Sequence, residues 1–325
     1  MSEARSRACS NMALVKYWGK RDERLVLPFT GSLSMTLDAL ATETTVRFTG
    51  EPGVDRFILD GEPATAGEIR RVTDLLDLVR VRKVGLGSAL VESVNGFPTA
   101  GGLASSASGF AALAAAASWA AGLDPSPEEL SILARRASGS ACRSVLGGFV
   151  EWTRGERDDG LDSVAVQRLA PGTWDVAMVV AVVETGRKER SSRDAMKDSV
   201  VTSPFYADWV RSTMDDLSET RAALETRDLE RLGTVAERSF RKMHATALAS
   251  TPSTLFWKPV TFDLLEGVRA LRESGTGAWA TVDAGPHVAV FCEAKDADGI
   301  RRRLSGVAGV RDLVVARPGP GVERL

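Results

Sequence analysis

Asn95 to Gly109 reads N-G-F-P-T-A-G-G-L-A-S-S-A-S-G, with four glycines, three serines and no charge. It runs directly into an alanine-rich stretch ending near Gly122. Alanine has the highest helix propensity, so that stretch reads as a helix. A loop whose backbone N–H groups converge on a helix N-terminus is a site for anions, above all phosphate. Gly101, Gly102, Leu103 and Ala104 form the turn and Gly109 lies in the first helical turns. Ser105, Ser106 and Ser108 bring hydroxyls, one of which can cap the helix. The spacing is neither a P-loop nor a G-x-G-x-x-G fingerprint. Taken alone, the stretch is also compatible with a tight turn feeding a buried helix.

Around this loop the chain is that of a globular protein. Of its 325 residues 44% are hydrophobic and 26% charged, and the formal net charge is −2. That balance points to neither nucleic acid nor a membrane surface as partner. Cys9, Cys142 and Cys292 are odd in number, far apart and in no C-x-x-C pair, as expected of reduced thiols in a cytoplasmic protein. Met1 to Asn11 lacks an apolar signal core. Val176 to Val183 is apolar but of strand length, well short of a membrane span.

Outward from the loop, Ala89–Val94 is a strand leading in, and Ala64–Arg82 is a helix with Ile69, Val72, Leu75, Leu76 and Val79 on one face. Earlier, residues 8–20 start as an apolar strand and end in the cluster Lys16, Tyr17, Trp18, Lys20. Leu33, Met35 and Leu37 alternate with Ser32, Ser34 and Thr36, the pattern of a half-buried strand. Thr42–Phe48 and Arg56–Leu59 are further strands. After the alanine helix, Ser126-Pro127-Glu128-Glu129 is a capping box with proline in the first turn. Ser138–Trp152 is a small-residue turn into a strand. Strands at 164–169 and 176–183, helices over 203–250 and 262–272, and a closing β-β-α-β run complete the chain. The pattern predicts two α+β domains, residues 1–171 and 172–325, with a cleft between them.

The chemistry-bearing residues outside the loop are mostly cations: Lys16, Lys20, Arg143, Arg187, Lys188 and Arg193. Arg143, within S-A-C-R-S, is framed too closely by small residues for a freely solvated side chain. It fits either bidentate recognition of a carboxylate or phosphate or a structural ion pair. Asp283 ends an apolar strand and opens A-G-P, so its carboxylate stands either in a site or in an Asx-type turn. His244 and His287 are far apart and lack metal-ligand spacing, which leaves a carboxylate tuned by a lysine as any general base.

Together these segments resemble the diphosphomevalonate decarboxylase family of the GHMP kinase superfamily. The resemblance is carried by A-L-V-K-Y-W-G-K-R-D (13–22), S-L-S-M-T-L (32–37), F-P-T-A-G-G-L-A-S-S-A-S-G-F-A-A-L (97–113), S-G-S-A-C-R-S-V-L-G-G-F-V-E-W (138–152), S-S-R-D-A-M (191–196), M-H-A-T (243–246) and T-V-D-A-G-P (281–286). The departures are F-T-G-S-L-S (29–34), His287 where the family usually has asparagine, and Pro252-Ser253 in place of a double proline. The resemblance implies a ribosomal protein S5 domain 2-like N-terminal domain and a ferredoxin-like C-terminal domain. The implied reaction is ATP- and Mg²⁺-dependent decarboxylation of mevalonate 5-diphosphate, through phosphorylation of its 3-hydroxyl. By the same resemblance Asp283 is the catalytic aspartate, Lys16 its neighbour, and Arg143 the arginine that orients the substrate carboxylate. Tyr17, Lys20, Ser138, Ser140, Ser192 and Arg193 would hold the substrate and its diphosphate. Gly101 to Gly109 would cradle the ATP phosphates, with Ser106 nearest the metal. A homodimer is also implied.

Overall fold

The computed structural model describes residues 2–97, 105–183 and 190–325. Strand β1 (Ser2–Val15) is followed by a small hairpin of β2 (Lys20–Asp22) and β3 (Leu27–Pro28), then by the long strand β4 (Ser32–Phe48). Strands β5 (Arg56–Leu59) and β6 (Glu62–Pro63) turn at Asp60-Gly61, whose φ angles of 53° and 84° suit a tight hairpin. Next come α1 (Ala66–Arg82), β7 (Ala89–Asn95), α2 (Ser105–Ala120) and α3 (Pro127–Ala137). Helix α3 starts at the expected capping box, with Ser126 and Glu129 each bonded to the other's backbone. A 3₁₀ turn (Gly139–Val145) leads into β8 (Phe149–Trp152) and β9 (Ala165–Leu169).

The second half holds β10 (Val176–Val182), α4 (Ser192–Thr202), α5 (Tyr206–Thr226), α6 (Leu229–Leu248) and α7 (Pro259–Glu273). It closes with β11 (Ala278–Val282), β12 (Val288–Glu293), α8 (Ala297–Leu304), β13 (Asp312–Ala316) and β14 (Glu323–Arg324).

Two sheets organise these elements. The first runs β14-β1-β4-β7-β5-β6, with β8 and β9 continuing from the first half of β4. Strand β4 serves two neighbours in turn: Ser32–Met35 pair with β8 and Thr42–Phe48 with β7. Helices α1, α2 and α3 cover one face. Ala111, Ala112 and Ala114 to Ala117 of α2 are all fully buried, so the helix lies close against β1 and β4. The closeness is marked by Ser6 Oγ donating to the Ala112 carbonyl at 2.6 Å.

The second sheet, β11-β12-β10-β13, is antiparallel throughout. Every residue of β10 is buried, because the sheet is covered on both faces. Val176, Met178, Val180 and Val182 pack with α5, α6 and the apolar residues of β1 and β4. Ala177, Val179 and Ala181 pack with α7 and α8. The two sheets therefore share a core, which fixes the edge where their ends meet.

The strand at 32–37 differs from expectation. It is buried on both faces, with Ser32, Ser34 and Thr36 essentially inaccessible. Its hydroxyl face is covered by the 3₁₀ turn, whose Arg143 takes Ser32 and Ser34 as acceptors. A polar face can be buried when each hydroxyl has a partner. All three cysteines are free and buried, and among the described residues no helix is long and apolar enough to cross a membrane.

Candidate active site

A cavity of ≈ 580 Å³ lies where the end of β1, the N-termini of α2 and α4, the 3₁₀ turn and the end of β11 converge. Among its lining are Lys16, Tyr17, Lys20, Ser105, Ser106, Ser138, Ser140, Arg143, Ser192, Arg193 and Asp283. These residues are scattered from position 16 to position 283, and each was singled out from the sequence.

Lys16 follows the last residue of β1 and is 1% exposed. Its Nζ meets Asp283 Oδ1 at 2.5 Å and donates to the Ala13 carbonyl at 2.8 Å. Burial lowers the Lys16 pKa, and the Asp283 carboxylate opposes that fall. The carboxylate itself is partly open to the cavity, its side chain 27% exposed. Asp283 thus opens a turn, its carbonyl accepting the Gly285 N–H at 2.7 Å, while its side chain faces the Lys16 ammonium at the cavity wall.

Arg143 is buried, and its partners are all neutral. Nε donates to Ser34 Oγ at 2.9 Å, Nη2 to Asn11 Oδ1 at 3.1 Å, and Nη1 to Ser32 Oγ. Asn11 is itself held by Ser144 Oγ at 2.8 Å and by the Ser140 carbonyl. No carboxylate lies within ion-pair distance of Arg143 among the described residues, so the structural ion pair is not what places it there. Burial lowers its pKa, with Asp283 pulling the other way. A fully buried guanidinium held by neutral acceptors has charge to spare for an anionic ligand.

Tyr17 lies edge-on to Trp152 at 4.8 Å, and its buried hydroxyl has no hydrogen-bond partner among the described residues. Burial drives its pKa up, so the hydroxyl stays neutral, and the residue forms part of the cavity wall. Gly139 makes this packing possible, since a Cβ there would lie 2.9 Å from the Trp152 ring and 3.0 Å from Tyr17. Lys20 is held by Glu23 at 2.5 Å. Ser191 caps α4 by accepting from the Asp194 N–H, which leaves Ser192 and Arg193 at the positive end of the helix, lining the cavity.

Of the glycine-rich stretch, Gly101, Gly102, Leu103 and Ala104 lie outside the described residues, as do Arg187 and Lys188. Ser105 and Ser106 line the cavity. Ser108 does not: it is fully buried, with its hydroxyl 2.7 Å from Thr42 Oγ1 and donating to the Ser105 carbonyl. Ser108 lies two residues beyond Ser106, about 200° around the helix, and so faces the sheet. Gly109 lines a second, smaller cavity of ≈ 190 Å³, walled by Phe57, Leu59, Val72, Phe110 and Leu113. The two cavities share Glu68, Arg71, Ser105 and Ser106.

Arg71 was not anticipated. It lies 4.4 Å over the Phe110 ring, donates to the Ala137 carbonyl at 3.3 Å, and has no ion pair among the described residues. Burial and the Arg193 charge lower its pKa to about 10. The available signal was its spacing: Glu68, Arg71, Val72 and Leu75 fall on one helical stripe, so Arg71 interrupts the buried face of α1.

His244 and His287 bind no metal-like cluster, and no group of three or more His, Cys, Asp or Glu among the described residues could hold a metal alone. Ser105 and Ser106, which line the cavity, would offer Mg²⁺ hydroxyl oxygens of the hard kind it takes alongside phosphate. His287 accepts from the Val183 N–H through Nδ1 at 3.2 Å, tying β12 to β10 behind the site.

An α+β fold with a cation-lined cavity at a serine-bearing helix N-terminus defines a phosphoryl-transfer enzyme of the GHMP kinase type. Comparison narrows the class. Residues 8–165 match the diphosphomevalonate decarboxylase-like N-terminal domain, and residues 178–313 the mevalonate 5-diphosphate decarboxylase C-terminal domain. The chain is 35% identical to diphosphomevalonate decarboxylase of Aspergillus fumigatus over 92% of this chain and 79% of that one. Against the Homo sapiens enzyme of that name it is 37% identical, over 86% and 74%. A solved structure of MDDEF in complex with MVAPP, AMPPCP and magnesium superposes with a TM-score of 0.93 at 42% identity, covering 100% of this chain and 99% of that one. Mevalonate diphosphate decarboxylase from Staphylococcus aureus gives 0.92 at 39%, over 100% and 98%. The chain belongs to the diphosphomevalonate decarboxylase family.

Proposed function

We infer that the protein decarboxylates mevalonate 5-diphosphate at the expense of ATP, giving isopentenyl diphosphate, ADP, phosphate and CO₂. The observation that carries this is the pairing of Asp283 with Lys16 beside Arg143, a buried cation with only neutral partners. A simple kinase needs an acid or base at the hydroxyl. A decarboxylase needs in addition a cation for the substrate's carboxylate, and Arg143 has that charge available.

In this reading the diphosphate lies against Lys20, Tyr17, Ser192, Arg193 and the α4 N-terminus, with Ser138 and Ser140 lining the path to Arg143. The Lys20 ammonium exchanges Glu23 for a phosphate oxygen. The Asp283 carboxylate, held by Lys16, takes the proton of the 3-hydroxyl as that oxygen bonds the γ-phosphorus of ATP and the bond to ADP breaks. Once the 3-oxygen is phosphorylated it can leave as phosphate. The electron pair of the bond to the carboxylate then becomes the new double bond, and CO₂ departs. Arg143 aligns that carboxylate with the leaving group. Mg²⁺, when bound, offsets phosphate charge, a contribution that positioning and cations complete. We place the nucleotide across both cavities. The base would occupy the apolar one beside Phe57 and Phe110, and the phosphates would pass Arg71, Ser105 and Ser106.

We further propose domains at 1–171 and 172–325. The two family matches on either side of Pro171 support that boundary, although β14 returns to pair with β1. A cytoplasmic homodimer is our reading of the quaternary state and location. The location rests on three free, buried thiols and the dimer on the family resemblance.

The test is product analysis with ATP, Mg²⁺ and, in turn, mevalonate, its 5-phosphate and its 5-diphosphate. CO₂ released from the diphosphate alone is expected. A stable 3-phosphorylated product without CO₂ would refute the assignment.

A further inference from the structure

Three hydroxyls from the second half of the chain hold the segment that carries Lys16. Ser239 Oγ on α6 accepts the Lys16 backbone N–H at 3.0 Å, and Tyr206 on α5 donates to the Trp18 carbonyl at 2.9 Å. Thr281 on β11 donates to the Ala13 carbonyl, also at 2.9 Å. The third differs from the other two. The Ala13 carbonyl that receives Thr281 also receives Lys16 Nζ, at 2.8 Å. Thr281 is two residues before Asp283, the other partner of that ammonium.

We propose that Thr281 is a positioning residue for the reaction, closing a ring that runs Thr281 Oγ1, Ala13 carbonyl, Lys16 Nζ, Asp283 Oδ1 and back along the backbone through Val282. The ring rests on the functional reading given above. A carbonyl oxygen has two lone pairs, and here each has a donor, one from the strand bearing Asp283 and one from the ammonium that Asp283 faces. The two donors hold Ala13 from opposite halves of the chain, which fixes the distance between Lys16 and the end of β11. Thr281 is fully buried, so no water can replace its hydroxyl. It is not among the residues that line the cavity. Its effect therefore falls on the Asp283 carboxylate and not on the groups assigned to the diphosphate or to ATP.

The test compares Thr281→Val, close in shape but without the hydroxyl, with Thr281→Ser, which restores it. The valine variant should lose at least about tenfold in kcat, with KM for both substrates within about twofold of wild type. Serine should return kcat to within about threefold. A crystal structure of the valine variant should show Lys16 Nζ beyond hydrogen-bond distance of Asp283. If valine fails to give folded protein, Thr281→Ala, which also lacks the donor, replaces it under the same criteria. A kcat within twofold of wild type overturns the proposal, as does an unchanged Lys16–Asp283 contact. The contact is read without turnover, so a wild-type enzyme releasing no CO₂ would refute the functional reading while the ring is still judged.

Discussion

Replacing Arg143 by glutamine should separate activity from stability. In the folded protein this arginine makes charge-assisted hydrogen bonds to Asn11, Ser32 and Ser34 and has no ion pair among the described residues. Hydrogen bonds to a charged group contribute about 1.5–3 kcal/mol each. Burying the ion opposes this by several kcal/mol. The two contributions nearly cancel, and the glutamine amide can keep a donor on Asn11 or Ser34. The change in unfolding free energy should therefore stay within about 2 kcal/mol in either direction. Catalysis has no such compensation, because a neutral amide cannot supply the charge that holds a carboxylate in line with a departing phosphate. Losing one buried charge partner costs about 3 kcal/mol, close to a hundredfold. Steady-state kcat/KM, with CO₂ as the readout, should fall by about 10² or more, while urea unfolding at neutral pH shifts little. An activity loss of tenfold or less, or a loss that tracks a large fall in stability, would make Arg143 a structural residue and refute the reasoning.

Asp283→Ala should abolish turnover while calorimetry still detects ATP and mevalonate diphosphate binding, and near-wild-type kcat would remove Asp283 from the reaction. Arg71→Ala should raise KM for ATP about tenfold or more with kcat and the other KM nearly unchanged, because Arg71 stands where the two cavities join. A rise confined to the other substrate would relocate the nucleotide. His244 is buried against Val282, Phe256 and Trp257, and desolvation, with Lys16 nearby, lowers its pKa to about 3. The unfolded chain then binds a proton that the folded one does not between the ordinary value near 6.5 and about 3, so stability from this group is lost as pH falls through that window. Between pH 7 and pH 5 wild type should lose about 2 kcal/mol more than His244→Phe in urea unfolding, and parallel losses would contradict a buried neutral imidazole.

Much of the site could be read from residue order because its parts are local. The Ser126 capping box, the strands at 89–95 and 176–182 and the serines at the start of α2 each follow from neighbours within one turn or one pleat. The position of Ser108 has a tertiary reason: helical phase relative to the sheet sends it to Thr42, while Ser105 and Ser106 reach the cavity. The alternation at 32–37 suggested a solvated face because the partner that covers it, Arg143, is more than a hundred residues away. Arg71 was overlooked since a single arginine in an apolar stripe looks like a helix-surface charge until Phe110 is seen beneath it.

Composition, periodicity and motif order by themselves determined an α+β chain with a glycine- and serine-rich stretch opening a helix, and which cations and which aspartate were candidates for its chemistry. Those properties depend on side-chain type and short-range spacing, which the linear chain carries in full. Only the tertiary structure decided that Lys16 and Asp283 touch, that Arg143 has neutral partners, and that Thr281 shares a carbonyl with Lys16. These contacts join residues on average far apart along the chain. They exist because two sheets bury a common core, and that shared burial sets where the ends of β1 and β11 meet.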